Sequence, residues 1–307
     1  MPELPEVENL RLGLKRTIVG QKVKRVKINK PKLVSGKGTV RTASRIKSEE
    51  FIRGATGEKF LNIERRAKNL IFKLTHGKII IAHLKMTGQF VYAPFEALAK
   101  KGKASPKPII GGHPIEISET ILPNKHTHII FELEHGTLFY NDTRMFGYLL
   151  YFPNQKSFEA TNHFVSLGKE PFDRDFTLKY FTDMLKNKKG KIKAVLMNQN
   201  VVTGVGNIYA DESLFEAGIR PIRRASSLKL QEIKKLHGAI VRILKRATKV
   251  GGSSVATYRL LDESRGNYAR EHKVYGKGGK ACFRCHKPLK KIAIQGRTTI
   301  FCPNCQK

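Results

Sequence analysis

The chain has four cysteines, and all of them fall near one end, as Cys282, Cys285, Cys302 and Cys305. Their pattern, C-x2-C-x16-C-x2-C, restricts the fold more than any other stretch. Two close pairs of thiolates can close tetrahedrally around a single metal ion, each pair forming a tight knuckle. The spacing predicts one structural zinc ion per chain, not a set of disulfide staples. A filled four-thiolate shell leaves no position for a reactive water, which makes the ion structural. Between the pairs, "IAIQGRTTIF" predicts a β-hairpin turning at Gln295-Gly296, with Arg297 at or beside its tip.

The charge balance is the second constraint. Lys and Arg number 58 against 25 Asp and Glu, a formal charge of +33 with a pI near 10.2. Such a field attracts polyanions, above all nucleic acid, and releases their counterions on binding. An anionic membrane surface competes as a partner, but the basic residues are spread along the chain and form no single amphipathic helix. Apolar runs such as "KIIIAHL" are too short to span a bilayer, and the first residues have no signal-peptide core. The expectation is a cytoplasmic, nucleoid-associated protein with no membrane partner. In that setting Arg297 is better read as a phosphate or groove contact than as a solvated side chain.

A chain of 307 residues with 40% hydrophobic content has room for two cores and a small appendage. Residues 5–16 fit a helix, with Pro5 at the first helical position and Val7, Leu10 and Leu14 on one face. From about 17 to 92 the pattern is of short strands: "KVKRVKI", "NLIFKL", "KIIIAHL", "GQFVYA". Residues 94–124 are rich in Pro, Gly and Lys and read as an inserted loop. Strands resume in "THIIFEL", "GTLFYND" and "GYLLYF", and a β-sandwich fits this part. From about 166 the spacing is helical in "TLKYFTDMLKN", "KIKAVLMNQN", "NIYADESLFEAG" and "SLKLQEIKKLHGAIVRILKRAT". The expected class is α+β and multidomain: 1–152 a β-sandwich flanked by helices, 153–165 a linker, 166–268 helical, and 269–307 the cysteine hairpin.

Two further stretches carry chemistry. "VVTGVG" is a glycine-rich turn leading into a helix at Asn207, read as the N-cap, and free N–H groups at a helix start bind phosphate. The chain also begins "MPELPEVE", three glutamates among two prolines on a strongly basic protein.

"MPELPEVE", "VTGVGNIYADESLF" and the four-cysteine hairpin stand in order, joined by "RRAKNLIF", "HLKMTGQ", "DTRMFGYL" and "KVYGKGGKAC". Together they resemble the bacterial formamidopyrimidine-DNA glycosylase family (the Fpg/MutM branch of the Fpg/Nei enzymes). The resemblance runs along the whole chain except 94–124. It implies an N-terminal β-sandwich, a helical domain with a helix–two-turn–helix, and a C-terminal zinc-finger hairpin. It also implies a monomer acting on double-stranded DNA that contains oxidised bases or abasic sites. The implied activity is a bifunctional glycosylase and AP lyase of base excision repair, removing 8-oxoguanine and formamidopyrimidines.

By that resemblance Pro2, freed by removal of Met1, is the nucleophile. An α-amino group titrates near pKa 7.7–8.0, so it is partly neutral where lysine is charged. Its attack on C1′ forms an iminium ion that drives strand cleavage by β,δ-elimination. Glu3 is the general acid/base, and Lys68 is a strand lysine near the damaged nucleotide. Glu6, in the first helical turn, and Lys193 support the active site; Glu8 has only a capping or solvated reading. Met86, Arg144 and Phe146 fill the hole left by the extruded nucleotide, Arg144 facing the unpaired cytosine. Met145 stands where many relatives carry a second basic residue. Asn207 and Arg297 grip phosphates, and 253–275 covers the loop that closes over the flipped base. Two readings compete: an endonuclease-VIII-like glycosylase for oxidised pyrimidines, and a zinc-finger DNA-binding protein without catalysis.

Overall fold

A computed structural model describes residues 1–36, 42–95, 109–112, 122–253 and 266–307, with 109–112 as backbone alone. Most of the insertion at 94–124, and residues 254–265 of the base-capping segment, lie outside the described residues. Two compact units cut across chain order. The first gathers Met1–Pro2, Glu6–Phe164 and Ser253–Gly266; the second gathers Glu3–Pro5, Val165–Gly252 and Asn267–Lys307.

The first unit holds two antiparallel sheets, ordered β1-β7-β8-β5-β6 and β2-β3-β4-β9. Their strands are β1 (Val23–Ile28), β2 (Phe60–Arg66), β3 (Asn69–Leu74), β4 (Ile79–His83), β5 (Gly88–Pro94), β6 (Ile109–Gly112), β7 (Thr127–Leu133), β8 (Gly136–Asp142) and β9 (Tyr148–Phe152). Inward side chains of both sheets share one core. Phe72 meets Phe90 edge-on at 5.6 Å between centroids, and Phe60 meets Phe131 at 6.4 Å. Such aromatic pairs across facing sheets fix their packing as well as burying area. The helix Leu4–Ile18 turns Val7, Leu10, Leu14 and Ile18 into the same core. This helix starts one residue earlier and ends two later than the 5–16 reading, so Pro5 is its second residue.

Two more elements depart from the sequence reading. Residues 45–55, inside the stretch read as strands, form a helix (Arg45–Ala55) capped by Ser44, whose side chain accepts from the Lys47 N–H. Its apolar contacts are few, with Phe51 and Ala55 in the core. Gly54 lies so close to the Tyr151 ring that a Cβ would sit 2.1 Å from it, so packing and not periodicity holds the helix. Within the insertion, Ile109–Gly112 pairs with β5 as an edge strand and is not loop.

The second unit is helical: Leu178–Lys186, Ile192–Met197, Asn207–Ala217 and Leu230–Lys249 follow the four stretches predicted. The longest presents Ile233, Leu236, Ile240, Leu244 and Ala247 to one core, a 3,4,4,3 spacing that keeps one face inward. In the same unit β10 (Lys290–Ile294) pairs with β11 (Arg297–Phe301) around the Gln295-Gly296 turn. Both turn residues have positive φ, 47° and 70°, the tight primed turn that two-residue hairpins need. A small core of Phe215, Val274, Leu289 and Ile300 surrounds Cys282 and Cys302. No described helix is long and apolar enough to cross a membrane.

Candidate active site

The glycine-rich turn and the acidic start of the chain meet within the second unit. Glu3 is 2% exposed, and its carboxylate accepts from the N–H groups of Gly206 at 2.6 Å, Ile208 at 2.9 Å and Tyr209 at 3.4 Å. These N–H groups open the Asn207–Ala217 helix, whose N-cap is Gly206 and so has no side chain of its own. The carboxylate caps the helix from a distant part of the chain, where the helix dipole favours negative charge. This corrects the reading of Asn207 as N-cap of an open, phosphate-binding helix start. Asn207 is the first helical residue. The glycines permit the approach: a Cβ on Gly206 would lie 2.4 Å from Glu3 Cδ, and one on Gly204 (φ +83°) 2.6 Å from Leu4 Cβ. The Leu4 N–H also donates to Gly204 O at 3.0 Å, so the residues after Pro2 are bound to the turn by backbone and side chain.

The first unit carries Pro2, Glu6, Lys68, Met86, Arg144 and Phe146. Pro2 is buried. Glu6, 2% exposed, accepts from the Ser253 N–H at 2.7 Å and so holds the residue that precedes 254–265. Glu8 is neither cap nor solvated: it takes Arg65 Nε at 2.8 Å and Arg11 Nη2 at 2.6 Å. Burial pushes its carboxyl up, but the two guanidinium groups outweigh this and hold it below the usual range. Lys68 is 4% exposed and lies in the two-residue turn between β2 and β3, after Ala67 at φ 55°, and not on a strand. Near it, burial and then the charges of Lys85, Lys68 and His163 push the His83 imidazole down to about 3. That ring is neutral, and its Nδ1 accepts from the Lys85 N–H at 3.0 Å.

Met86 lies half-buried in the β4–β5 turn, while Phe146 is 49% exposed with the Arg144 guanidinium 4.8 Å from its ring centroid. The residue that organises them is Asp142, fully buried and not singled out from the sequence. Its Oδ2 accepts from Gly147 N at 2.7 Å, and its Oδ1 takes Arg144 N at 3.2 Å and the Thr87 hydroxyl. One carboxylate thereby ties the Met86 turn to the Arg144–Phe146 loop. Its signal was its place as first residue of "DTRMFG", where an Asp side chain can accept from backbone N–H groups just ahead. Met145 (φ 54°) packs against the sandwich core and so fills volume where a basic side chain would need to reach out.

Lys193 is fully buried in the second unit. Its ammonium lies 2.8 Å from Asp211 Oδ1 and donates to Thr298 O at 2.9 Å and Thr299 Oγ1 at 2.8 Å. Asp211 Oδ2 accepts from Ile300 N at 3.1 Å. Burial disfavours both charges, pushing the amine down and the carboxyl up. Lys193 therefore supports β11 and, behind it, Arg297; sequence alone gave no sign of Asp211 as its partner. Glu212, also buried, accepts from Lys273 N, Val274 N and Tyr275 N and fixes "KVYGKGG".

The four cysteine sulfurs lie within 4.8 Å of one another and could hold a metal ion. Cys285 Sγ is 3.5 Å from Cys302 Sγ, and Cys282 Sγ is 3.9 Å from Cys305 Sγ. A tetrahedron with Zn–S of about 2.3 Å has edges of about 3.8 Å, so the cluster fits such an ion. The N–H groups of Arg284 and Cys305 point at Cys282 and Cys302 sulfurs at 3.4 and 3.3 Å, as in thiolate knuckles.

Residues 1–149 match the family model described as formamidopyrimidine-DNA glycosylase N-terminal domain, and residues 167–259 the formamidopyrimidine-DNA glycosylase H2TH domain. Proteins named formamidopyrimidine-DNA glycosylase from Desulfitobacterium hafniense and Listeria monocytogenes are 36% and 38% identical, each aligned over 100% of both chains. A Lactococcus lactis Fpg variant solved with DNA containing Fapy-dG is 35% identical, with a TM-score of 0.82 and complete coverage of both chains. The Lactococcus lactis Fpg bound to DNA with an abasic site gives 34% identity and 0.82 over 99% of each chain. The chain belongs to the formamidopyrimidine-DNA glycosylase family.

Proposed function

We propose that this protein removes oxidised purines, 8-oxoguanine and formamidopyrimidines, from double-stranded DNA and then cuts the strand at the abasic site. With Met1 removed, the Pro2 nitrogen donates its lone pair to C1′. The C1′–N bond to the damaged base breaks, and the base leaves with its electron pair and a proton. The sugar ring opens, leaving an iminium ion between Pro2 and C1′. Loss of a C2′ proton expels the 3′ phosphate, a second elimination expels the 5′ phosphate, and water then hydrolyses the remaining iminium, releasing the sugar remnant as an unsaturated aldehyde and regenerating the amine. Glu3 accepts and returns protons beside Pro2, while Lys68 assists at the flanking phosphate. Arg144, Phe146 and Met86 occupy the vacated stack; Asn207 and Arg297 grip the backbone. Cys282, Cys285, Cys302 and Cys305 hold one zinc ion, which supplies structure and no chemical step. Residues 1–152 carry the chemistry, joined by 153–165 to 166–268 and 269–307, which bind DNA; the protein acts as a cytoplasmic monomer.

The observation that carries this reading is the buried Glu3, immobilised by three backbone N–H groups directly after Pro2. A surface acid at a helix start needs no such fixing; a group that must meet one proton does. Borohydride reduces an iminium to a stable amine. The untagged, Met-processed protein is expected to be trapped covalently on duplexes with 8-oxoguanine opposite cytosine, and an uncleaved N-terminal tag to abolish trapping and excision. Full activity of the tagged protein would overturn the Pro2 assignment. Faster release of thymine glycol than of 8-oxoguanine would move the chain to the pyrimidine branch.

A further inference from the structure

Glu8 reads from sequence as a cap or a solvated side chain, and the structure gives it neither role. It stands one turn into the helix Leu4–Ile18, two residues after Glu6. Its carboxylate gathers two guanidinium groups: Oε1 accepts from Arg11 Nη2 at 2.6 Å, and Oε2 from Arg65 Nε at 2.8 Å. Both arginines then reach backbone oxygens of the β2–β3 hairpin. Arg11 Nη1 donates to Ile63 O at 3.2 Å, on β2, and Arg65 Nη1 donates to Ala67 O at 3.0 Å, in the turn. The Glu8 and Arg65 side chains are only 18% and 8% exposed, so salt and water screen their attraction little.

That turn is the one that carries Lys68. Ala67 and Lys68 are its two central residues, flanked by the Arg66–Asn69 pair. Ala67 has φ 55°, a left-handed backbone that glycine adopts freely and that a residue with a Cβ keeps only when its surroundings hold it. Arg65 holds the Ala67 carbonyl, and across the turn Asn69 Nδ2 donates to Arg66 O at 3.3 Å. A long amine is aimed by its backbone and by the packing round its stem, and here both Ala67 and Lys68 are buried. One carboxylate thus spans from the helix that follows Pro2 to the turn that presents Lys68.

We propose that Glu8 is a positioning residue for the reaction. Through Arg65 it locks the Ala67–Lys68 turn onto the helix that follows Pro2, and so sets the Lys68 ammonium where the flanking phosphate must pass. Glu8 itself meets no DNA. A carboxylate suits the task because its two charged oxygens take both guanidinium groups at once; an amide offers one acceptor oxygen and no charge. The inference rests on the reading that Lys68 acts at that phosphate.

The test measures single-turnover excision of 8-oxoguanine at saturating DNA with the untagged, zinc-loaded chain. The variants are E8Q, R65K, K68A, E8Q/K68A and R65K/K68A, with E49Q as control, since Glu49 pairs with Arg45 on an exposed helix face. E8Q should slow excision about tenfold, within the roughly hundredfold that a misplacement of about 1 Å can cost. R65K should slow it similarly, because an ammonium lacks the fork that joins Glu8 to Ala67. E49Q should keep the wild-type rate. A weakened fold would also slow a variant, so the double variants decide. In the K68A background, E8Q and R65K should each cost less than about twofold, because the group they position is gone. The R65K pair approaches the same link from its other end and serves even if E8Q does not fold. Wild-type rates in E8Q and R65K, or an undiminished loss in the K68A background, overturn the proposal. A K68A that excises as fast as wild type defeats the reading of Lys68 and this inference with it; a slow K68A beside a wild-type E8Q defeats the positioning role alone.

Discussion

At the scale of single residues, the candidate site depends on absent side chains as much as on present ones. Glu3 reaches its three N–H partners only because Gly206 has no Cβ; the nearest Glu3 atom would be 2.4 Å from one. Gly206→Ala must therefore displace the carboxylate or the helix start. We expect single-turnover excision to fall at least about tenfold, equivalent to about 1.4 kcal/mol of barrier, with the zinc content unchanged. Wild-type rates in Gly206→Ala would show that the position of Glu3 is not critical. The resemblance to the family assigns roles to Pro2 and Glu3 through "MPELPEVE", a motif visible in one dimension. The sequence could not point to Asp142 or Asp211. Each is defined by partners brought up by folding: Gly147 and Thr87 for one, Lys193 and Ile300 for the other.

At the scale of elements, strands whose side chains are buried in runs or alternate were readable, and so were helices with a clean apolar stripe. The helix Arg45–Ala55 was not, since of its apolar side chains only Phe51 and Ala55 are buried in the core, with Ile52 packed partly buried against it, and its cap is a lone serine. It runs into the turn that carries Glu58, a 6%-exposed carboxylate holding three groups of the β3–β4 connection. Lys78 Nζ lies at 2.7 Å, His76 Nδ1 at 2.8 Å, and the Thr75 hydroxyl donates as well. Burial by itself pushes the Glu58 carboxyl up; hydrogen bonds from Lys78, Thr75 and His76 outweigh it and hold the group at about 2. A folded-state value below the unfolded one means stability that is present above the ordinary carboxylate value and lost as pH falls. Glu58→Gln should cost roughly 3 kcal/mol at neutral pH, the worth of lowering the carboxyl from 4.5 to about 2. The gap to wild type in urea melts should close between about pH 4.5 and 2. A gap that stays constant over that window would mean that the hydrogen-bond geometry and not the charge stabilises the connection.

At the scale of the whole molecule, the cysteine cluster and the helical core of the second unit are one mechanical system. A two-stranded hairpin is marginal in water by itself. Here it is held on one side by the cysteine knuckles and on the other by the buried Lys193–Asp211 pair, which binds Thr298, Thr299 and Ile300. The two anchors depend on each other, because a loosened hairpin leaves two charges buried without their hydrogen-bond partners, a costly state. On the reading that the four cysteines hold zinc, removing it should therefore do more than free a surface loop. After chelation of the full chain, amide exchange should accelerate through Lys290–Phe301 and spread to the start of the Asn207–Ala217 helix, where Asp211 and Glu3's partners lie. DNA affinity should fall with it, while amides of β7 and β8 in the sandwich keep their protection, since that core shares no side chain with the cysteine cluster. Restoring zinc should reverse all three changes. Exchange confined to the hairpin would show that Lys193 and Asp211 hold their helices without help from β11, and unchanged protection and affinity in the metal-free chain would show that the hairpin core suffices alone.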